Sequence, residues 1–206
     1  MRLSIISYLA PIIGMLMMAL HPAYAQPASQ QEIIARAEQA LSDMKTMQAD
    51  FIQFSSDGSV GEGRIYFRRP HQLRIDYLNP ETLSFVTSRV WIHVDDKIDK
   101  QVTSYPISQS PFYTLLQKEI SFIAEDVMTS AKIKDGVASV SMARETGEAA
   151  GVLTLEFDTL NWHLRRWIIT DALGVKTQVT LQNTLFDLAL ENRLFGVPAY
   201  AVPSDS

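Results

Sequence analysis

The stretch RIYFRRPHQLRIDY (residues 64–77) contains two short alternating runs on either side of a proline. Successive side chains of a β-strand point to opposite faces, so Leu73, Ile75 and Tyr77 share one face, opposite the polar residues between them. Proline cannot donate to a sheet ladder, so strand pairing is expected to stop at Pro70. The stretch therefore predicts two consecutive strands, the second with one apolar and one wet face.

The rest of the chain repeats this strand pattern around a few helical segments. A capping box of Ser29 and Glu32 opens a helix predicted over residues 30–45. A second helix is predicted to begin at Ser110-Pro111, and residues 119–130 are ambiguous between a short helix and a loop. Strands bounded by turn residues are predicted at 47–56, 61–70, 71–80, 82–88, 89–96, 99–108, 131–134, 137–143, 151–158, 162–170 and 174–185.

These element counts predict the fold class. A sheet with one apolar face must cover that face with helices or curl around it. Two or three short helices are too few to cover about eleven strands by packing alone. The sequence therefore predicts a mainly β (α+β) protein. We expect a strongly curved sheet or open antiparallel barrel, with the helices lying across its mouth.

The N-terminus has the pattern of a secretory signal peptide. Arg2 supplies a positive start, Leu3–Leu20 is largely apolar, and Ala23-Tyr24-Ala25 matches the small-x-small site that signal peptidase cleaves. The apolar run is long for a signal, so an uncleaved membrane anchor is the alternative interpretation. We expect residues 1–25 to be a cleaved signal peptide and residues 26–206 to form a single domain.

Composition excludes several classes of function. Loss of Arg2 with the signal lowers Lys+Arg from 18 to 17 against 23 Asp+Glu, so the formal charge becomes -6. Such a chain is a poor candidate for binding nucleic acid, which requires neutralisation of phosphates. The chain has no cysteine. This excludes disulfides, thiolate metal sites, a cysteine nucleophile and an acylated N-terminal cysteine.

Catalytic patterns are weak. The three histidines outside the signal, His71, His93 and His163, belong to different segments, and no common hydrolase or phosphate-loop motif occurs. His93 with Asp95 and Asp96 weakly resembles a set of metal ligands, but an edge strand followed by a turn explains it better. We expect no catalytic residue, no metal and no cofactor, and keep an unrelated secreted hydrolase as a rival interpretation.

Arg69 is the least ordinary residue of the opening stretch. By parity it shares a face with Ile65 and Phe67, so it places a cation at the rim of an apolar interior. Two interpretations remain open. The side chain either extends out of the core to water, or its five donors engage backbone carbonyls of a helix lying across the mouth.

The chain resembles the LolA family, periplasmic carriers that move lipoproteins from the inner to the outer membrane of Gram-negative bacteria. The resemblance covers essentially the whole mature chain. It rests on the order and spacing of four segments, ADFIQ (49–53), GRIYFRRPHQLRIDYLNP (63–80), QVTSYPISQSPFYTLL (101–116) and ENRLFGVP (191–198).

The resemblance implies a fold and a set of site residues. The family's fold is an incomplete antiparallel barrel closed by a helical lid, in which an arginine before the proline of the second strand hydrogen-bonds to lid carbonyls. By position this lid latch is Arg69, with Arg68 as the alternative if the register slips by one. The resemblance implies lid contacts from Leu41 and Met47 at the first helix, and from Phe112, Tyr113 and Leu115 in the second. The expected acyl-chain cavity and lid residues are Leu41, Met47, Phe51, Phe67, Leu73, Ile75, Tyr77, Phe112, Tyr113 and Leu115.

The resemblance also implies a function and partners. The protein would be a non-enzymatic, monomeric periplasmic chaperone for acylated lipoproteins. It would receive them from an inner-membrane lipoprotein-releasing ABC transporter and pass them on, through an outer-membrane receptor lipoprotein where one is present. The alternative is a LolA-like periplasmic binding or sensor domain for another lipid or glycolipid.

Overall fold

A computed structural model describes residues 28–79, 81–110, 113–146, 150–197 and 200. The expected signal peptide at residues 1–25 and the expected lid residue Phe112 lie outside the described residues, so both stay predictions. Within the described part of the chain, no helix combines the length and the apolar character that a membrane span requires.

The helical segments are few and short. Helix α1 (Gln30–Asp43) begins with the predicted capping box: the Glu32 N–H donates to the Ser29 hydroxyl, and the Ser29 N–H donates to the Glu32 carboxylate. Helix α2 (Tyr113–Leu116) has a single turn, and 3₁₀ turns occupy Ile107–Gln109 and Asn192–Phe195. These segments cannot form a layer of their own, so they act as a partial cover for the strands.

The described residues contain eleven strands, in the number that the sequence predicts. They are β1 (Thr46–Ser55), β2 (Val60–Arg68), β3 (Gln72–Asn79), β4 (Leu83–Thr87), β5 (Trp91–Asp96), β6 (Gln101–Pro106), β7 (Met128–Lys134), β8 (Val137–Arg144), β9 (Gly151–Asp158), β10 (Leu164–Asp171) and β11 (Lys176–Phe186).

All eleven strands form one antiparallel sheet in the order β6-β5-β4-β3-β2-β1-β11-β10-β9-β8-β7. Strands β1–β6 form one run in which consecutive strands are neighbours, and strands β7–β11 form a second such run. The two runs are joined by the pairing of β11 with β1. Strands β6 and β7 remain at the two edges, so the sheet curves without closing into a barrel. The predicted fold class, an incomplete antiparallel barrel with few helices, is confirmed.

The core lies on the concave face, and alternation along the strands places it there. On β9, Leu153, Leu155 and Phe157 are buried, whereas the intervening residues are partly exposed. Helix α1 covers the β7–β8 side of this face with its own buried residues. Burying each large apolar side chain is worth about 1.5–3 kcal/mol, so this face supplies most of the stabilisation of the fold.

Met47, expected as a lid contact at the first helix, lies beyond that helix, in the strand predicted over residues 47–56. Helix α1 ends at Asp43, and the backbone of Met44 is already extended. Met47 belongs to β1, where it is buried on the same face as Ala49 and Phe51. The apolar spacing of the helix continues by coincidence into the strand, and strand parity accounts for the burial of Met47.

The ambiguous segment before β7 forms no helix within its described residues. Its buried anchor is Phe122, whose N–H donates to the carboxylate of Glu38 on α1 at 2.6 Å. The Thr129 hydroxyl donates to the Phe122 carbonyl. These bonds use the backbone groups of Phe122 in tertiary contacts, so a local helix is not needed to satisfy them.

Candidate functional site

An apolar cavity of about 440 Å³ lies on the concave face of the sheet. Strands from both runs form its floor, and the segment after β6 forms one side. A cavity of this size falls within the range of small-molecule sites. It is lined by Phe51, Gln53, Ile65, Leu73, Ile75, Tyr77, Phe85, Thr87, Ile92, Val94, Tyr105, Pro106, Gln109, Ser110, Leu116, Trp167, Ile169, Thr177 and Val179. We call this space the main cavity.

Four residues expected at the cavity from the sequence, Phe51, Leu73, Ile75 and Tyr77, line it. The expected residues Leu41, Met47, Phe67 and Leu115 border a separate void of about 40 Å³, which Leu73 also lines. Tyr113 is 40% exposed on α2 and lines neither space. The expected set therefore divides between the ligand-sized cavity and the packing beneath the cover.

The sequence interpretation missed the contribution of the later strands. Phe85, Ile92 and Val94 from β4 and β5, and Trp167 and Ile169 from β10, also line the main cavity. Period-two alternation could have identified the β4 and β5 residues. On β10 the register shifts between Leu164 and Arg166, so that a parity count started at Leu164 gives the wrong face.

Three of the polar side chains that line the main cavity, Gln53, Tyr77 and Thr87, form hydrogen bonds within the protein. The Tyr77 hydroxyl donates to the Gln53 side-chain oxygen at 2.7 Å, and burial raises the pKa of Tyr77 above its usual value. The Thr87 hydroxyl donates to the His71 carbonyl and accepts the Leu73 N–H. Because these side chains already have hydrogen-bond partners, the surface that the cavity offers to a ligand is largely apolar.

Two glycines of β2 make room for the aromatic rings of the cavity floor. A Cβ at Gly63 would lie 2.5 Å from a ring carbon of Phe51 and 2.1 Å from the Asp76 carbonyl oxygen. A Cβ at Gly61 would lie 2.8 Å from the Tyr77 ring. The rings of Phe51 and Tyr77 meet edge to face, with centroids 5.3 Å apart. The absence of side chains at these positions thus lets the two aromatics lie directly on the sheet.

We expect Gly63→Val to lower the free energy of unfolding by about 1–3 kcal/mol, the usual cost of overpacking a filled site. The new side chain would have to displace both the Phe51 ring and the backbone of β3. Urea unfolding would measure the loss. Gly61→Ala is the milder comparison, because its Cβ meets only side-chain atoms within 3.4 Å. Equal stability of Gly63→Val and the wild type would show that this packing is not required.

Arg69 lies at the tip of the β2–β3 hairpin and joins it to both helices. Its Nη2 donates to the Leu41 carbonyl at 2.8 Å and its Nε to the Met44 carbonyl at 3.4 Å, at the C-terminal end of α1. Its Nη1 donates to the carbonyls of Leu115 at 3.2 Å and Gln117 at 2.6 Å, at the end of α2. The Arg69 side chain therefore does not extend to water alone: its guanidinium donates to helix carbonyls, which is the second of the two interpretations of the sequence.

The surroundings favour a cation at this position. Helix α1 has no basic residue in its own last turn, and the guanidinium of Arg69 supplies a positive charge to its exposed carbonyls. Burial lowers the pKa of Arg69 from its usual value, but an arginine stays protonated in proteins. Backbone bonds reinforce the contact, since the Arg69 N–H donates to Lys45 and the His71 N–H to Leu116. One side chain therefore holds α1, α2 and the hairpin together.

Arg68 points to the opposite, convex face. Its Nη1 donates to the Leu190 carbonyl at 2.7 Å and its Nη2 to the Asn192 side chain at 2.8 Å. Its guanidinium also lies over the ring of Phe195, 4.7 Å from the centroid. Arg68 therefore holds the C-terminal segment against the outside of the sheet, and its side chain bonds there and not to the helices.

The residues considered for metal binding are engaged elsewhere. His93 Nδ1 lies 2.9 Å from the Ser104 hydroxyl, and the buried Asp95 carboxylate accepts bonds from Ser84 and Tyr200. No group of three or more His, Cys, Asp or Glu side chains that could hold a metal ion occurs within the described ranges.

The fold and the cavity together define a class of protein. A curved antiparallel sheet holds an apolar space on its concave side, and a short helical segment held by the partly buried Arg69 lies over that side. Such an arrangement suits an apolar ligand, because the described lining of the space is largely apolar.

The chain belongs to the LolA family. The family model described as "Outer membrane lipoprotein carrier protein LolA" matches residues 42–197. The resemblance found in the sequence is thereby confirmed. Family membership places the chain among the LolA-like proteins.

Individual proteins that are similar to this chain share little sequence identity with it. The uncharacterized protein RP864 of Rickettsia prowazekii is 23% identical over 114 residues, covering 55% of this chain and 54% of that protein. An uncharacterized conserved protein of Thermus thermophilus matches in structure with a TM-score of 0.52 at 16% identity, over 82% of this chain and 93% of its own. The LolA superfamily protein NE2245 of Nitrosomonas europaea matches with a TM-score of 0.48 at 8% identity, over 82% and 99%. The match to RP864 spans about half the length of that curated relative.

Proposed function

We propose that this protein is a periplasmic chaperone that binds the acyl chains of lipoproteins released from the inner membrane and delivers them to the outer membrane. The observation that carries the proposal is the 440 Å³ apolar cavity beside helices that Arg69 holds in place. Residues 1–25 would be removed as a signal peptide, and residues 26–206 would form the carrier domain. The protein would act as a non-enzymatic monomer without a cofactor.

The energetics of an acyl chain in water explain why such a carrier is needed. Each buried methylene is worth about 0.8 kcal/mol, so exposing a chain of about 16 carbons costs on the order of 10 kcal/mol. A lipoprotein with such chains cannot cross an aqueous compartment unaided. A carrier must cover the chains and must also give them up at the destination.

The proposed latch would provide the release. A cover that binds itself through Arg69 competes with cargo for the same space, so the free energy of latch closure is subtracted from the affinity for cargo. Hydrogen bonds from a charged donor contribute about 1.5–3 kcal/mol each. A few such bonds would lower the affinity enough for cargo to move onward, to a receptor or membrane that binds it more tightly.

The size of the main cavity limits what it holds in this closed form. Its 440 Å³ is roughly three times the ~150 Å³ of an engineered cavity that admits benzene. By that scale the space takes roughly one acyl chain. A cargo with several chains would therefore need the cover to move or further space to be available.

A release assay tests the carrier role. Spheroplasts bearing newly made, radiolabelled outer-membrane lipoprotein are incubated with the purified mature protein, and the supernatant is analysed for a soluble 1:1 complex. We expect such a complex in the presence of the matched inner-membrane ABC transporter, and its loss on addition of outer membranes or a receptor lipoprotein. A folded protein that releases nothing in the presence of that transporter would contradict the proposal.

A second candidate is a LolA-like binding or sensor domain for another periplasmic lipid or glycolipid. The observation that favours it is the limited capacity of the main cavity, which suits a lipid with few chains. Mass spectrometry of lipid that co-purifies from the periplasm would separate the two. Lipoprotein anchors favour the carrier, and a free lipid or glycolipid favours the alternative.

A further inference from the structure

Strand β6 (Gln101–Pro106) forms one of the two edges of the sheet. Four of its six residues are exposed, and its register with β5 runs without a bulge. Within the described residues, the backbone of β6 pairs with β5 alone. The outer side of β6 is therefore a straight, exposed row of backbone groups.

The direction of these backbone groups follows from the ladder between β5 and β6. The Ile107 N–H, directly after β6, donates to the carbonyl of Val90, directly before β5, at 3.0 Å. Hydrogen-bonded and non-hydrogen-bonded pairs alternate along an antiparallel ladder, so every second residue of β6 turns its N–H and C=O away from β5. Counted back from Ile107, these residues are Pro106, which has only a carbonyl, and then Ser104 and Val102.

The opposite edge of the sheet, β7, is covered where β6 is not. Proteins normally cover a sheet edge or blunt it with charges, prolines or bulges. On β7, the Ala131 N–H donates to the side-chain oxygen of Gln30 at 3.1 Å, and α1 packs against this strand. Strand β6 has no charged residue, and its one proline stands at its last position. Such an edge is suited to pairing with an added strand.

The exposed edge ends at the main cavity. Tyr105 and Pro106, the last two residues of β6, line that cavity, and Tyr105 is 51% exposed. The main cavity therefore reaches the surface at the end of β6. A polypeptide attached to a ligand in the cavity would leave it beside the outward groups of this strand.

We propose that β6 pairs with the polypeptide that follows the lipid anchor of the cargo, which adds to the sheet as an extended strand. The inference rests on the proposed function and extends the site from the acyl chain to the protein part of the same cargo. An extended chain advances about 3.3 Å per residue, so about six residues of cargo would cover β6.

Backbone pairing suits a carrier of many cargoes. Main-chain hydrogen bonds supply the affinity of an added strand, so the pairing does not require one particular cargo sequence. A short peptide alone would bind such an edge weakly. An anchor held in the main cavity makes the pairing intramolecular, and this raises the effective concentration of the peptide at β6.

Two synthetic ligands test the inference on the wild-type protein. One is dipalmitoylglyceryl-cysteine amide, and the other is the same anchor followed by six alternating threonine and serine residues. Displacement of a bound fluorescent fatty acid gives the two affinities. We expect the peptide to raise the affinity at least tenfold. N-methylation of every second amide is expected to abolish this gain for one of the two alternating sets only, because successive N–H groups of a strand point to opposite edges.

Proline substitutions make the matching test on the protein. Ser104→Pro removes an outward N–H without removing a bond to β5. We expect it to lose the tenfold gain and to keep the wild-type affinity for the anchor without peptide. Val102→Pro is an independent variant with the same expected result. Ile133→Pro is the control, because Ile133 has the parity of Ala131 and directs its N–H outward on β7 instead. The full gain is expected for this control.

The outcomes separate the inference from the function on which it rests. Equal affinities of the two ligands for the wild type, or equal losses for the two N-methylated sets, would overturn the strand pairing and leave the carrier role intact. Failure of both ligands to bind the wild type would contradict the carrier role as well. A wild-type dimer that Ser104→Pro converts to a monomer in analytical ultracentrifugation would assign the edge to a second copy of the chain and overturn the inference. Thermal unfolding identifies any variant that has not folded.

Discussion

Replacing Arg69 with leucine is expected to give a protein that still takes up lipoprotein but passes it to outer membranes at least tenfold more slowly. The substitution removes the donors that hold the carbonyls of α1 and α2. The closed, empty state then loses stabilisation while the loaded state keeps its apolar contacts. Losing about 1.5–3 kcal/mol of latch energy corresponds to a factor of about ten to a hundred in retention of cargo. Transfer of radiolabelled lipoprotein to outer-membrane vesicles measures this.

Arg68→Leu is the matched control for that experiment. It makes the same chemical change one residue away, but Arg68 contacts the C-terminal segment on the convex face. We expect uptake and transfer close to the wild type, with any loss appearing in thermal stability. A transfer defect of equal size in the two variants would show that hairpin stability, and not the latch, controls release.

The second large effect is expected from a charge in the main cavity. Ile169→Asp puts a carboxyl group on the wall of the cavity, where burying the charged form costs several kcal/mol or forces the group to be protonated. We expect the affinity for a fluorescent fatty acid to fall by about a hundredfold, which corresponds to roughly 2.7 kcal/mol. Displacement of the fluorophore in titrations at neutral pH measures this.

The neighbouring isoleucine provides the control. Ile168 is also partly buried on β10, but alternation places its side chain on the other face, and it does not line the main cavity. Ile168→Asp therefore makes the same substitution in the same strand without entering the site. Near-normal affinity is expected for it. Equal loss of affinity in both variants would mean that damage to the sheet, and not polarity in the cavity, abolishes binding.

Much of the fold could be predicted from the sequence because its strands keep strict alternation. Leu73, Ile75 and Tyr77 alternate without interruption and line the main cavity as expected. Pro70 ends the pairing of β2 with β3, which the sequence also predicts. Parity placed Arg69 on the inner face and Arg68 on the outer face, and their hydrogen bonds follow that division. That Arg69 acts as a latch stays a prediction.

The remainder could not be predicted because it depends on tertiary contacts. The irregular register of β10 hides the inward direction of Trp167 and Ile169 from a parity count. The conformation around Phe122 depends on a carboxylate from α1, 84 residues away in the chain. Nothing in the local sequence encodes a contact of that range.

In the proposed latch mechanism, Arg69 opposes the binding of cargo. The most direct measurement is the equilibrium affinity of a palmitoylated peptide for the wild type, Arg69→Leu and Arg68→Leu, by titration calorimetry under identical conditions. We expect the peptide to bind at least tenfold more tightly to Arg69→Leu than to the wild type, and to bind Arg68→Leu with the wild-type affinity. Equal or weaker binding to a folded Arg69→Leu protein would contradict it.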